Sequence, residues 1–215
     1  MAPTLPNKKL RIVGDVHGKI AEYIEIVKDV DYSIQIGDMG FNYSALDALD
    51  PHRHWVFGGN HDNYLKRGDE FIYQPPHFLG DFGMIISGIF FVRGGLSIDK
   101  KWRTEGFDWF PDEELSYARS KECLDAYCSA KPMIVLSHEC PQSIISMFTS
   151  FSDKETMDKF DCRLPSSTSM LLEQMYYHHQ PELWIFGHYH IDREIKYQET
   201  IFRCLNELSH YDIFI

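Results

Sequence analysis

Five short segments of this chain gather carboxylates, imidazoles and glycines. They are Gly14-Asp15-Val16-His17-Gly18, Gly37-Asp38-Met39-Gly40, Gly58-Gly59-Asn60-His61-Asp62, Ser137-His138-Glu139 and Gly187-His188-Tyr189-His190. Asp and His offer oxygen and nitrogen donors, Asn offers a neutral carbonyl oxygen, and no thiolate takes part. That set is hard to borderline and suits Mn, Fe or Zn better than Cu. Alternate residues of an extended turn point to the same side, so Asp15 with His17, and His188 with His190, can each face one metal region. Flanking glycines let the backbone turn sharply and leave room for ions.

Each segment follows a short apolar run, at residues 10–13, 33–36, 54–57, 133–136 and 183–186. Runs of that length ending in turn residues read as buried strands. Residues 84–87, 89–93, 193–197 and 201–205 are further strand candidates. Helical spacing of Ile20, Ile24 and Val27 predicts a helix over 19–30. Residues 112–128 open with Asp112, Glu113 and Glu114 after Pro111, acids that suit a helix N-terminus. Residues 166–179 follow Pro165 and carry Met170, Leu171, Leu172 and Met175. The alternation predicts an α/β fold with at least one mixed sheet. Ligands of such sheets bind beyond the carboxyl ends of strands, so five strand-ending turns can converge on one site. Residues 94–111 show no periodicity and read as a loop, weighted by Trp102, Phe107, Trp109 and Phe110.

The ordered set GDVHG, GD, GNHD, SH and GHYH resembles the calcineurin-like metallophosphoesterase superfamily, over residues 15–190. The resemblance implies one domain over residues 1–215, with two mixed β-sheets in a sandwich flanked by helices. It implies two divalent metal ions, Mn foremost with Fe or Zn as the other choices, and a phosphate-ester substrate. Carried over residue by residue, it implies a first ion on Asp15, His17, Asp38 and His190. A second would sit on Asp38, Asn60, His138 and His188, with Asp38 bridging and a hydroxide between the ions as nucleophile. His61 matches the family's catalytic histidine, which contacts phosphate and protonates the leaving oxygen. Asn60 would also meet the substrate. Asp62 either orients His61 or caps a turn, while Glu139 and Tyr189 read as structural or rim residues. His52, His54, His77, His178, His179 and His210 match no motif.

One departure narrows the chemistry. Phosphoprotein phosphatases extend the second motif as GDxxDRG, whose second Asp supports the catalytic His and whose Arg grips phosphate. Here Phe41 and Asn42 stand in that place. The expectation is therefore a phosphodiesterase or broad phosphatase. A phosphoprotein or nucleotide monophosphatase is the alternative, and a non-catalytic scaffold of the same fold is a third, disfavoured by the retention of every ligand position and of His61. Asn42 is a candidate substrate contact. Residues 93–103 resemble a stretch of bacterial and phage members. There Arg103 or Lys100 could reach phosphate with Trp102 and Trp109 as a wall. The competing reading is a solvated basic loop pinned by aromatic packing.

A chain of 215 residues suits one domain with a substantial core. No apolar run approaches a membrane span. The first nine residues lack the apolar stretch of a secretory signal. Five cysteines, Cys123, Cys128, Cys140, Cys162 and Cys204, make no paired framework and read as reduced thiols. Together these predict a cytoplasmic protein without a membrane partner. The net charge of −11 weighs against general attraction to nucleic acid or anionic lipid. Nucleic acid stays admissible as a substrate, since bound cations would reverse the field locally.

Overall fold

The computed structural model describes residues 8–67, 70–72, 74–97, 99–149 and 166–215. The strands, in chain order, are β1 (Lys9–Val13), β2 (Tyr32–Ile36), β3 (His54–Phe57), β4 (Lys66–Arg67), β5 (Glu70–Phe71) and β6 (Phe82–Met84), then β7 (Ile89–Val92), β8 (Ile134–Ser137), β9 (Leu183–Phe186), β10 (Arg193–Tyr197), β11 (Thr200–Cys204) and β12 (His210–Phe214). The helices are α1 (Ile20–Val27), α2 (Tyr117–Ala130), α3 (Gln142–Thr149) and α4 (Ser167–His178).

Two mixed sheets result. The first has the order β12-β1-β2-β3, with β12 antiparallel to β1 and the rest parallel. The second has the order β10-β11-β9-β8-β7-β6, parallel at its centre and antiparallel at both edges. Side chains alternate across each strand. Leu10, Ile12, Ile34, Ile36 and Phe57 of the first sheet meet Ile89, Phe91, Leu136 and Ile185 of the second in a shared core. The opposite face of the first sheet packs Val13 and Val56 against Ile20, Tyr23 and Val27 of α1. The opposite face of the second packs Phe90, Val135, Trp184 and Phe202 against α2, α3 and α4. Both faces of the central strands are thus covered, which is why β7, β8 and β9 read as nearly unbroken apolar runs; β2 differs in carrying buried Ser33 and Gln35. The expected sandwich is the one observed.

Several local expectations need correction. Residues 84–87 are not a strand: β6 ends at Met84, and a 3₁₀ turn at Ile86–Gly88 closes a hairpin onto β7. The acids after Pro111 do not open a helix. Pro111–Glu113 forms a 3₁₀ turn, and α2 starts later, where the Ser116 hydroxyl accepts from Arg119 N at 3.3 Å. Glu113 is drawn away by tertiary bonds to Ser97. The sequence reading also missed α3, the β4–β5 hairpin and β12. Cys123, Cys128, Cys140 and Cys204 are free thiols; Cys162 and Pro165 lie outside the described residues. Among the described residues, no helix is long and apolar enough to cross a membrane.

Candidate metal centre and active site

The loops after β1, β2, β3, β8 and β9 meet at one end of the sandwich, bonded to one another through the backbone. Val16 N and His17 N donate to the Asp38 carbonyl at 2.9 and 2.8 Å, and Gly187 N donates to the His138 carbonyl at 3.0 Å. The turns are tight enough that His17, Asp38, His188 and His190 all have positive φ, between 49° and 68°. Non-glycine residues in that region cost about 1–3 kcal/mol each and persist only where their surroundings over-determine them. Gly37 is required where it stands. Its φ is +100°, and a Cβ there would lie 2.6 Å from His138 Cγ.

The structure brings together all seven side chains expected to hold metal. Six of them, with His61, form overlapping groups: Asp15, His17 and His190; His17, Asp38 and His61; Asp38, His138 and His188; the seventh, Asn60, has its Oδ1 3.0 Å from His138 Nε2. Within each group the possible ligand atoms lie within 4.8 Å of one another. Asp38 is common to two of them. Its Oδ1 is 3.2 Å from His138 Nε2, and its Oδ2 is 3.8 Å from His17 Nε2. Asp15, Asp38, Asn60 and His138 are buried, His17, His61 and His188 are half-buried, and His190 is exposed. The cluster therefore opens to solvent on its histidine side.

The donor set fits divalent cations. His138 Nδ1 faces the Ile36 carbonyl at 3.0 Å, which only accepts, so Nδ1 carries a proton. His138 Nε2 then faces Asn60 Oδ1 at 3.0 Å, Asp38 Oδ1 at 3.2 Å and His188 Nδ1 at 3.2 Å. With a neutral ring that is a convergence of lone pairs. Burial opposes charge on His138, yet the Asp38 carboxylate, with Asp15 behind it, pulls its pKa up to about 10. Burial would raise Asp38, but the imidazoles of His138, His61 and His17 hold it well below the usual carboxylate range. Burial and then the charge of His138 push His188 down to about 3. The pull that recruits a proton here is the pull a cation would answer. Asp15 Oδ2 adds to it: it is buried without a hydrogen-bonded partner, although His190 Nε2 approaches to 3.0 Å.

His61 stands at the edge of this cluster. Its ring meets that of His17 edge-on, with centroids 5.0 Å apart, and its backbone N–H donates to Asp38 Oδ1 at 2.7 Å. Arg103 Nη2 lies 3.0 and 2.8 Å from His61 Nδ1 and Nε2. The same guanidinium donates to both oxygens of Asp99, each at 2.7 Å, and to the Asp108 carbonyl at 2.9 Å. Of the two basic residues singled out in this loop, Arg103 reaches the site, through His61. Lys100 rests on Trp109, with its Nζ 5.3 Å from the ring centroid. Trp102 and Phe107 are exposed and Phe110 is buried. Arg93 is buried beneath the site, paired with Asp81 at 2.6 Å and stacked on Tyr64.

Asp62 anchors loops. It accepts from Asp38 N at 2.9 Å, Gly59 N at 2.7 Å and the Tyr43 hydroxyl at 3.0 Å. Burial and the Asp38 charge push its pKa up to about 7 against those donors. Asn42 Oδ1 is occupied by the backbone and hydroxyl of Ser44, at 3.1 and 2.9 Å. Beside His17 and His61 lies a cavity of about 460 Å³, lined by Gly18, Ile20, Gly40, Phe41, Asn42 and Ser44. Sequence reasoning missed Tyr43, Ser97, Asp99 and Glu113. Tyr43, Ser97 and Glu113 act across long loops, Asp99 acts on Arg103 four residues along, and no motif marks such contacts.

The family model for calcineurin-like phosphoesterases matches residues 8–192, and the chain belongs to that family. It is accordingly of the class of hydrolases that act on phosphate esters with divalent metals. No curated protein matches the sequence significantly. Among the solved structures that are similar at low identity, three illustrate the range. A predicted phosphoesterase of Streptococcus pneumoniae is 10% identical, with a TM-score of 0.43, over 98% of this chain and 85% of its own. The phosphopantetheinyl hydrolase of Mycobacterium tuberculosis is 14% identical, with a TM-score of 0.48, over 94% and 90%. GAP50, an anchor in the inner membrane complex of Plasmodium, is 14% identical, with a TM-score of 0.45, over 93% and 72%.

Proposed function

We propose that this protein is a dinuclear phosphodiesterase. The observation that carries the dinuclear reading is the Asp38 carboxylate, whose two oxygens face different histidines, His138 and His17. On this reading Asp15, His17, Asp38 and His190 hold one ion, and Asp38, Asn60, His138 and His188 hold the other. When bound, two such ions, Mn being our first choice, acidify a water and neutralise phosphate. The chain's own residues do the rest. On this reading Asn60 serves the ion, since its Oδ1 faces His138 and its Nδ2 faces Ser97. Burial foremost, and then the charge of Arg103 against the pull of Asp38, favours the neutral ring of His61. One nitrogen of that ring accepts from Arg103, and the other keeps a proton for the departing oxygen.

The preference for diesters is supported by the cavity. None of its lining side chains carries a fixed charge, and the guanidinium that reaches His61 is neutralised by Asp99. Among the described residues, a monoester dianion would find no free cationic side chain in that lining. A diester is a monoanion, and its second arm suits a pocket walled by Phe41 and Ile20. The test compares kcat/KM for bis-nitrophenyl phosphate and nitrophenyl phosphate in Mn²⁺, corrected for intrinsic reactivity, in the wild type and in Asn42→Arg. Diester preference that shifts toward the monoester in the variant is the expected result. A monoester preference indifferent to Asn42→Arg would make the protein a monophosphatase instead.

A further inference from the structure

Asn60 is the only amide among the seven candidate ligands, and its two ends differ chemically. Only Oδ1 can hold a cation; Nδ2 would present protons to it. Something must decide which end faces the site. Nδ2 sits 3.2 Å from Ser97 Oγ, and Ser97 Oγ sits 2.6 Å from Glu113 Oε2. The Ser97 backbone N–H reaches the other carboxylate oxygen, Oε1, at 2.9 Å. All three residues are at most 3% exposed. The same loop passes directly beneath the cluster: a Cβ on Gly95 would lie 3.1 Å from His138 Cδ2 and 3.6 Å from Asn60 Oδ1.

The directions of these bonds are forced. A carboxylate only accepts, so the Ser97 hydroxyl spends its one proton on Glu113. Ser97 Oγ is then left with lone pairs toward Asn60, and it accepts from Nδ2. With Nδ2 engaged there, Oδ1 points at His138. The polarity of the Asn60 amide is thus set two residues away, in a segment that the ligand motifs do not include.

We propose that Glu113 and Ser97 are positioning residues that fix the amide of Asn60 with its oxygen toward the metal region, and so set affinity at one of the two ion sites. This rests on the dinuclear reading above. Glu113→Gln is the revealing change, because it nearly preserves shape while altering polarity. With Gln Oε1 accepting from Ser97 N, its amide nitrogen faces Ser97 Oγ and donates to it. The Ser97 proton then turns toward Asn60, and the amide reverses to present Nδ2 to the cluster. Ser97→Ala does less harm, since it cuts the chain and leaves the Asn60 amide free to settle either way.

The experiment titrates Mn²⁺ into metal-free protein by calorimetry, with elemental analysis of the loaded protein. Wild type is expected to take up two ions. Glu113→Gln should weaken one of them by about 10–100-fold, the range for partners that orient a ligand, and leave the other unchanged. Ser97→Ala should weaken the same ion by less. The double variant should match Ser97→Ala alone, because with the chain cut the reversed polarity cannot be passed on. That suppression is something simple loss of structure would not produce. Glu113→Gln losing its ion equally with or without Ser97 would overturn the proposal, as would wild-type affinity for both ions in either single variant. Should Glu113→Gln fail to fold, as judged by its melting curve, Ser97→Ala decides the matter by the same titration. Wild type taking up no second ion would instead overturn the dinuclear reading, a result plainly distinct from two tight ions in every variant.

Discussion

Arg103→Ala separates two ways in which a guanidinium can serve this site. If Arg103 gripped the phosphate, its loss would raise KM and act independently of His61. The structure has it 2.8–3.0 Å from the His61 ring nitrogens and clamped by Asp99. Acting through His61, it should affect kcat. A hydrogen bond with one charged partner contributes about 1.5–3 kcal/mol. Asp99 offsets part of the charge, so the lower end of that range applies. At about 1.4 kcal/mol per factor of ten, kcat should fall by roughly tenfold with KM little changed. His61→Ala alone should cost about 10²–10⁴-fold in kcat. Once His61 is gone, removing Arg103 should cost almost nothing more. The assay is steady-state hydrolysis of bis-nitrophenyl phosphate by wild type, both single variants and the double variant, with Mn content measured for each. Additive losses, or a loss confined to KM, would refute the positioning role and restore the phosphate-gripping one.

Three further outcomes are expected. Asp38→Asn should weaken both ions and abolish turnover, because it removes a charge that both groups share; near-normal activity with two full sites in elemental analysis would contradict this. Gly37→Ala should destabilise the metal-free protein by about 1–3 kcal/mol in urea, since its φ is +100° and the new Cβ would meet the His138 ring; an unchanged urea midpoint would count against the close packing. Asp212 is held down to about 2, first by the hydrogen bond from Arg11. A carboxylate with a depressed pKa stabilises the fold above its unfolded value of about 3.9 and loses that contribution as pH falls through the folded value. The stability difference between wild type and Asp212→Asn, about 1 kcal/mol for so accessible a pair, should therefore shrink between about pH 4 and pH 2; a constant difference across that window would deny the linkage.

The strands that carry the ligands were legible because helices or the opposing sheet cover both of their faces. β9, with Trp184 and Phe186 toward the helices and Ile185 toward the other sheet, leaves no polar position to break the run. β12 escaped notice because it is an edge strand of half-exposed residues, with Asp212 at its centre. α3 escaped because it is only eight residues long, so Ile144, Ile145 and Phe148 mark barely more than one turn of its buried face. At the site, the ligands were visible as motifs, since each pair lies within one turn. Their supports were not. Ser97 meets Asn60 across 37 residues and Arg103 meets His61 across 42. Such pairings depend on the path of a loop that has no periodicity to read.

The pairing of β12 with β1 bears on how the molecule is made. Arg11 and Asp212 lie 201 residues apart in the chain, yet they are bonded side by side in the first sheet. Contacts of that separation are slow to form, because the loop between them must close before they return any energy. During synthesis β1 emerges before every other strand of the two sheets and waits beside an empty edge until β12, the last of them, has followed. Asp15 and His17, the first donors to emerge, likewise wait for His188 and His190. The loops of the first sheet carry Asp15, Asp38 and Asn60, whereas His138, His188 and His190 follow strands of the second. On the dinuclear reading proposed above, the spectroscopic signature of a bound Mn²⁺ pair would therefore serve as a clock for folding, appearing only after the two sheets have docked.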